Sequence, residues 1–139
     1  MVRETPVGNY IGLNIKTPAG AVAAVKHGLP VSAAEALGQH LDIPIRSLSK
    51  VTNIPERTLL RRKREKEALK ADESERVMRI GLLVERAVEV LGGLEHARQW
   101  LKTPNRALGG STPLDYADTE PGAREVEALL GRLEHGVFS

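Results

Sequence analysis

Residues 47–66, SLSKVTNIPERTLLRRKREK, carry the pattern that decides the fold. A helix-turn-helix needs a small residue where its two helices cross, and four residues later a residue that tolerates left-handed backbone geometry. Six residues further on, an aliphatic side chain must anchor the second helix. Ser49, Asn53 and Leu59 meet these three demands at that spacing, and asparagine tolerates a positive φ better than most residues. The segment therefore predicts two helices joined by a turn at Asn53.

The second helix of this pattern is strongly basic, which predicts a DNA-binding surface. The start of that helix enters the major groove in a helix-turn-helix, so we expect Glu56, Arg57 and Arg61 to face bases. Arginine can bind guanine O6 and N7 with two hydrogen bonds. The residues expected to contact phosphates, and so to set affinity more than sequence choice, are Thr58, Arg62, Lys63, Arg64 and Lys66.

One residue departs from the pattern, and one alternative stays open for the basic stretch. Arg62 occupies a position where a second aliphatic anchor is common. The alternative is that residues 61–70 form a solvated charged helix that only links two halves of the chain.

Capping signals and apolar stripes predict helices along the rest of the chain. The predicted helices run from Thr17-Pro18 to Gly28, from Ser32 to before Pro44, over about 45–52, from near Pro55 into the basic stretch, from Asp72 or Ser74 to Gly92-Gly93, over 94–101, for one turn at 113–117, and from Pro121 to about Glu134. The two longest predicted helices each carry an apolar stripe. In the helix that ends at Gly92-Gly93 the stripe is Val77, Ile80, Val84, Ala87, Val88 and Leu91, and in the last helix it is Val126, Leu129, Leu130 and Leu133.

These helices, and the lack of any strand-like alternation, predict an all-α fold. An N-terminal helix-turn-helix part is followed by a small helical domain. We expect a loose N-terminal tail over residues 1–16, a DNA-binding domain over 17–70 and a second domain over 71–139.

Composition and charge limit the class of protein. The 139 residues include no cysteine, which excludes disulfides and thiolate metal sites. Residues 1–70 contain 12 Lys/Arg and 6 Asp/Glu, a net charge of +6, whereas residues 71–139 contain 8 and 12, a net charge of −4. This asymmetry favours a polyanionic partner for the first half and a different partner for the second. Since the chain shows neither a signal peptide nor an apolar run of membrane-spanning length, we expect a soluble cytoplasmic protein with no membrane partner.

No arrangement of residues in the sequence points to catalysis. His27, His40, His96 and His135 are scattered and lack metal-ligand spacing. No GxSxG pattern supplies a serine nucleophile, and Gly109-Gly110 is too short to hold a phosphate. We therefore predict a binding protein with no cofactor, no bound metal and no small-molecule substrate, rather than an enzyme.

The C-terminal third resembles a known domain family. The residues that carry the resemblance are Trp100-Leu101, Pro104, Ala107-Leu108-Gly109-Gly110, Thr112-Pro113-Leu114, Gly122, Val126 and Leu130 to Gly136. In combination they are similar to the C-terminal toxin-binding domain of Xre/MbcA/ParS-type antitoxins. Residues 45–85 are similar to the Xre-type N-terminal part of the same family, and the whole resemblance covers roughly residues 30–139.

This resemblance implies an antitoxin of a type II toxin–antitoxin system. The implied partner is a cognate RES-type toxin that attacks NAD⁺, and the antitoxin's C-terminal region blocks access to the toxin's active-site cleft. A homodimer that binds operator DNA for autoregulation is also implied. The alternative function is a stand-alone helix-turn-helix transcriptional regulator whose C-terminal half dimerises or senses a ligand.

The last residues are the expected toxin-binding surface: Arg132, Glu134, His135, Gly136, Val137, Phe138 and Ser139. Gly136 is expected to end the last helix, so that Val137 and Phe138, the chain's one phenylalanine, project as an apolar plug. Glu134 is expected to pair with basic residues in the toxin cleft. Two alternatives stay open: Phe138 folds back onto the core near Trp100, and Arg132 and His135 only face the helix dipole.

Overall fold

The structure is a computed structural model that describes residues 8–136. This part of the chain is built from helices. The eight α-helices of this range are α1 Pro18–His27, α2 Val31–Leu41, α3 Ile45–Thr52, α4 Glu56–Glu65, α5 Ala71–Leu91, α6 Leu94–Leu101, α7 Pro113–Tyr116 and α8 Glu120–Glu134. Short 3-10 turns lie at Asn9–Ile11 and Arg106–Leu108. No β-strand occurs between residues 8 and 136, so the predicted all-α fold is confirmed.

Most helix ends follow the caps that the sequence predicts. The Thr17 hydroxyl accepts a hydrogen bond from the Gly20 N–H at 3.0 Å, in front of Pro18 at the start of α1. Gly28 ends α1 with φ +101°, and Gly92 ends α5 with φ +85°. These are left-handed backbone values that glycine adopts without steric cost.

Three predicted N-caps are wrong, and tertiary structure explains one of them. Ser32 lies inside α2, and Asp72 lies inside α5, whose N-cap position is Lys70. Ser74 is fully buried within α5, and its hydroxyl accepts a hydrogen bond from the Leu29 N–H at 2.8 Å. The Ser74 side chain therefore stabilises the α1–α2 connection instead of starting a helix.

Helix α5 is the centre of the fold. Four residues of its predicted stripe, Val77, Ile80, Val84 and Ala87, are at most 1% exposed, and the other two, Val88 and Leu91, are half-buried against the same core. The helix packs against α1, α2, α3, α6 and α8. The two predicted domains therefore share one hydrophobic core, and α5, which begins directly after the predicted boundary at residue 70, belongs to both.

Polar contacts also join the two halves. The Arg98 Nε donates to the His40 carbonyl at 2.9 Å, and the Lys102 Nζ donates to the Asp42 carbonyl at 3.2 Å. Both cations lie at the C-terminal end of α2, where they complement the helix dipole.

Residues 8–16 belong to the core, which corrects the predicted loose tail over residues 1–16. Ile11 is 1% exposed and Ile15 is 9% exposed. The Asn9 N–H donates to Glu85 Oε1 at 3.0 Å, and Gly81 of α5 leaves room for Ile11, whose Cγ2 would lie 2.9 Å from a Cβ at that position. A single 3-10 turn gives no periodic signal, so the sequence pattern does not reveal this packing. The prediction for residues 1–7 lies outside the described residues.

Candidate DNA and toxin interfaces

Helices α3 and α4 form the predicted helix-turn-helix. Asn53 has φ +54° at the turn, as its position in the pattern predicts. The Ile54 N–H donates to the Ser49 carbonyl at 3.2 Å, and this bond closes the end of α3. Leu59 anchors α4 at 4% exposure, and the predicted buried neighbours Leu48, Val51 and Ile54 are at most 6% exposed.

Arg76 of α5, which the sequence pattern does not single out, holds this turn in place. Its Nε donates to the Thr52 carbonyl at 2.6 Å, and its Nη2 donates to the Asn53 carbonyl at 3.3 Å. A cation at the C-terminal end of α3 satisfies carbonyls that have no partner within the helix. Since Arg76 lies 23 residues beyond Asn53, no local sequence signal links them.

The outer face of α4 presents the predicted base-facing residues to solvent. Glu56, Arg57 and Arg61 are exposed, and neither arginine forms an ion pair with any residue in the described range. Thr58 is half-buried. Two free guanidinium groups at the start of a recognition helix can accept base or phosphate partners without first breaking a contact.

The remaining predicted phosphate contacts of α4 differ in their surroundings. Lys63 Nζ lies 3.0 Å from Glu35 Oε2, and Arg64 Nη2 lies 3.7 Å from Glu65 Oε1. All of these groups are at least one-third exposed, so solvent screens both pairs. Lys66 is exposed and ends α4 with φ +54°.

Arg62 does not belong to this surface, which corrects its predicted role as a phosphate contact. It is 5% exposed, with Nη2 at 2.9 Å from Glu73 Oε1 and Nη1 at 3.2 Å from Glu67 Oε2. Its Nε has no hydrogen-bond partner among the described residues. Arg62 thus fills the position of the second anchor, where it ties α4 to the first turn of α5.

The end of α8 carries the described part of the predicted toxin-binding surface. Arg132 and His135 are exposed. Gly136 has φ +66° and donates its N–H to the Leu133 carbonyl at 3.2 Å, so the helix ends where the sequence predicts. Val137, Phe138 and Ser139 lie outside the described residues.

Glu134 has a partner within this chain, which differs from its expected pairing with a toxin. Its two carboxylate oxygens accept hydrogen bonds from Arg86 Nη1 and Nη2 at 2.9 and 2.7 Å. This two-point contact with Arg86 lowers the pKa of the Glu134 carboxyl and raises the pKa of Arg86. The pair joins the end of α8 to α5 and fixes the direction in which α8 ends.

The histidines stay scattered in three dimensions. His40 is half-buried, with its ring edge-on to Tyr10 at a centroid distance of 5.3 Å and its Nδ1 at 2.8 Å from the Ala36 carbonyl oxygen. Across residues 8–136, no cluster of three or more potential ligand side chains could hold a metal ion. Among the helices of that range, none combines the length and apolar character that crossing a membrane requires.

Comparison with known proteins assigns each half of the chain to a domain family. Residues 20–80 match the family model of the antitoxin Xre-like helix-turn-helix domain, and residues 86–136 match that of the antitoxin Xre/MbcA/ParS C-terminal toxin-binding domain. The first match ends and the second begins inside α5, the helix that both halves share.

Whole-chain relatives agree with this assignment. "Antitoxin Xre" of Yersinia enterocolitica serotype O:8 / biotype 1B is 37% identical over 93% of this chain and 88% of its own length. "Antitoxin Xre" of Photorhabdus laumondii subsp. laumondii is 32% identical over 99% of this chain and 94% of its own. A chain in the crystal structure of the M. tuberculosis MbcT-MbcA toxin-antitoxin complex shares the fold, with a TM-score of 0.59 at 21% identity over 85% of this chain and 97% of that one. The chain therefore belongs to the Xre antitoxin family, with an N-terminal helix-turn-helix domain and a C-terminal toxin-binding domain, and is an antitoxin of a toxin–antitoxin system.

Proposed function

We propose that this antitoxin neutralises a RES-type, NAD⁺-degrading toxin by covering the toxin's active-site cleft with the end of α8 and residues 137–139. One observation supports this surface above others: α8 is anchored at its middle and exposed at its end. Val126 and Leu130 are fully buried, whereas Arg132 and His135 are exposed beyond them. An anchored helix can hold its exposed tip in a fixed position against a partner, which lowers the entropic cost of binding.

Phe138 is the proposed anchor of the contact. An aromatic side chain that enters a pocket and leaves water completely stabilises a complex by about 1.5–3 kcal/mol, and such residues dominate many interfaces. Gly136, with its left-handed φ of +66°, ends α8 two residues before Phe138 in the sequence.

We predict that Phe138→Ala weakens toxin binding about 10- to 150-fold, which corresponds to that loss of burial. Val22→Ala is the matched control, because Val22 is an apolar residue of α1 that is 53% exposed, and it should leave binding unchanged. The toxin is obtained by pull-down from the native host, and its residual NAD⁺ hydrolysis is titrated with each antitoxin variant. Full neutralisation by a chain that lacks residues 137–139 would remove these residues from the mechanism.

We also propose that α4 binds operator DNA, so that the antitoxin regulates its own expression. The guanidinium groups of Arg57 and Arg61, which are exposed and form no ion pair with the part of the chain that the structure describes, support this role. As the resemblance to the family implies, a homodimer in the cytoplasm is the proposed working form. Its two α4 helices would then read two half-sites about one helical turn, 34–36 Å, apart.

We predict that Arg57→Ala and Arg61→Ala each weaken operator binding by about 1–3 kcal/mol, if each arginine binds a guanine. The toxin titration should not change, since neither residue belongs to the proposed toxin-binding surface. Arg132→Ala is the reciprocal control: an exposed arginine of α8 whose loss should weaken toxin binding and spare operator affinity. Gel-shift measurements at fixed salt test the first effect. Loss of both operator binding and toxin neutralisation in the α4 variants would contradict the proposal that separate surfaces bind DNA and toxin.

A further inference from the structure

Two exposed apolar side chains border the basic face of α4. Leu60 is 54% exposed and Ile45, the first residue of α3, is 38% exposed. Both line a cleft of about 80 Å³ that also includes Val31, Glu35 and Lys63. Neither residue is part of the predicted DNA contacts.

Leu60 lies on the same side of α4 as the arginines. Leu59 and Arg62 are buried and define the inner side of this helix. Residues spaced by three and four share a helix face, so Leu60 lies beside Arg57 and Arg64 on the outer side of α4. A leucine more than half exposed is thus flanked by two arginines at the border of the surface proposed to enter the major groove.

Phosphate contacts do not account for this leucine, because phosphates are bound by charge and hydrogen bonds. A single exposed leucine is common on protein surfaces, but here two apolar residues share one cleft at the edge of a recognition face. In the major groove, thymine presents a 5-methyl group beside the donors and acceptors of the bases, and apolar side chains contact that methyl group.

We propose that Leu60, supported by Ile45, contacts the 5-methyl group of a thymine in the operator and so selects thymine at that position. This inference rests on the proposed operator binding by α4. It predicts half-sites in which a thymine read by Leu60 lies next to the guanines read by Arg57 and Arg61.

The test uses a duplex from the region upstream of this protein's own coding sequence, amplified once with dTTP and once with dUTP. Uracil pairs like thymine but lacks the methyl group. The unmodified antitoxin should bind the thymine duplex about fourfold more tightly per half-site, which corresponds to one buried methyl group at about 0.8 kcal/mol. Leu60→Ala should bind both duplexes equally.

Leu82→Ala is the matched control, because Leu82 is a leucine of α5 at 37% exposure and lies outside the cleft. It should keep the preference for the thymine duplex. The control also separates the methyl contact from any change that uracil causes in the shape of the DNA. An effect of DNA shape would persist in both variants, whereas loss of the methyl contact should abolish the preference only in Leu60→Ala.

Four results would overturn the inference. The first is equal affinity of the unmodified antitoxin for both duplexes, and the second is a thymine preference that survives Leu60→Ala. Either result would rule out the proposed methyl contact and leave the operator proposal standing. Failure to bind either duplex removes the operator proposal together with it. A shift of Leu60→Ala from dimer to monomer in sedimentation, with equal loss of affinity for both duplexes, assigns the cleft to a second copy of the chain instead.

Discussion

Replacement of Gly122 by alanine is expected to lower the free energy of unfolding by about 3–5 kcal/mol. Gly122 is buried in the first turn of α8. A Cβ there would overlap the carbonyl oxygen of Tyr116 and lie 3.0 Å from its carbonyl carbon. Both atoms belong to the backbone at the end of α7, so no rotamer change relieves the overlap and the two helices must separate.

Gly131→Ala is the matched control on the same helix, because a Cβ at Gly131 meets no heavy atom within 4 Å. Alanine favours a helix over glycine, so this variant should gain up to about 1 kcal/mol. Urea-induced unfolding followed by circular dichroism measures both changes. A Gly122→Ala variant within about 0.5 kcal/mol of the unmodified protein would show that α7 and α8 do not approach each other this closely.

The sequence locates most helix ends, because the interactions that set them are local. The Thr17 cap reaches three residues along the chain, and the left-handed φ values of Gly28, Asn53 and Gly92 follow from the residue types themselves. The sequence does not explain why Gly122 must be glycine. Its family motif includes this residue, but the reason is the Tyr116 carbonyl of another helix.

Interactions between residues that are distant along the chain leave no signal in the local sequence pattern. Ser74 has the character of a cap, but it bonds to Leu29, 45 residues earlier. Arg76 holds the turn of the helix-turn-helix from α5. Ile11 packs into the core through one 3-10 turn, which is too short to show periodicity. Each of these contacts depends on where α5 lies, and local propensity carries no information about that.

The candidate DNA surface is predicted partly from the spacing in α4. The positions of Arg57 and Arg61 on the outer face follow from helical periodicity once Leu59 is known to be the anchor. Charge alone does not separate a buried arginine from an exposed one, so Arg62 is wrongly grouped with its neighbours. The one available signal is its position, where an aliphatic side chain is common. Leu60 is overlooked because an apolar residue in a basic run does not look like a DNA contact.

Arg62→Ala is expected to destabilise the protein by about 3–5 kcal/mol, because it leaves the buried carboxylate of Glu73 without its partner. Glu73 is 7% exposed, and it also accepts the Lys70 N–H at 2.8 Å at the start of α5. Arg61→Ala is the matched control on the same helix, because Arg61 is exposed and forms no ion pair within residues 8–136. Its loss should change the free energy of unfolding by less than about 0.5 kcal/mol. Equal effects of the two variants would contradict the buried ion pair.

A double variant separates the loss of the ion pair from the loss of packing. Arg62→Met keeps most of the side-chain volume but leaves Glu73 charged and buried, so it should also be strongly destabilised. Glu73→Gln removes the charge and keeps an oxygen for the Lys70 N–H. The combination should therefore be more stable than Arg62→Met alone, with a coupling energy of at least about 1 kcal/mol. Strict additivity of the two substitutions would mean that Arg62 and Glu73 do not interact.

The same double variant tests which arginines of α4 contact DNA. Each phosphate contact contributes about 0.9 to the slope of log affinity against log salt concentration. The Arg64 side chain is 72% exposed. Its replacement by alanine should therefore lower the magnitude of that slope by about one unit. The Arg62→Met, Glu73→Gln variant should leave the slope unchanged, because the Arg62 guanidinium is bound to Glu67 and Glu73 inside the protein. An equal decrease in both variants would mean that Arg62 leaves this pocket when the antitoxin binds its operator.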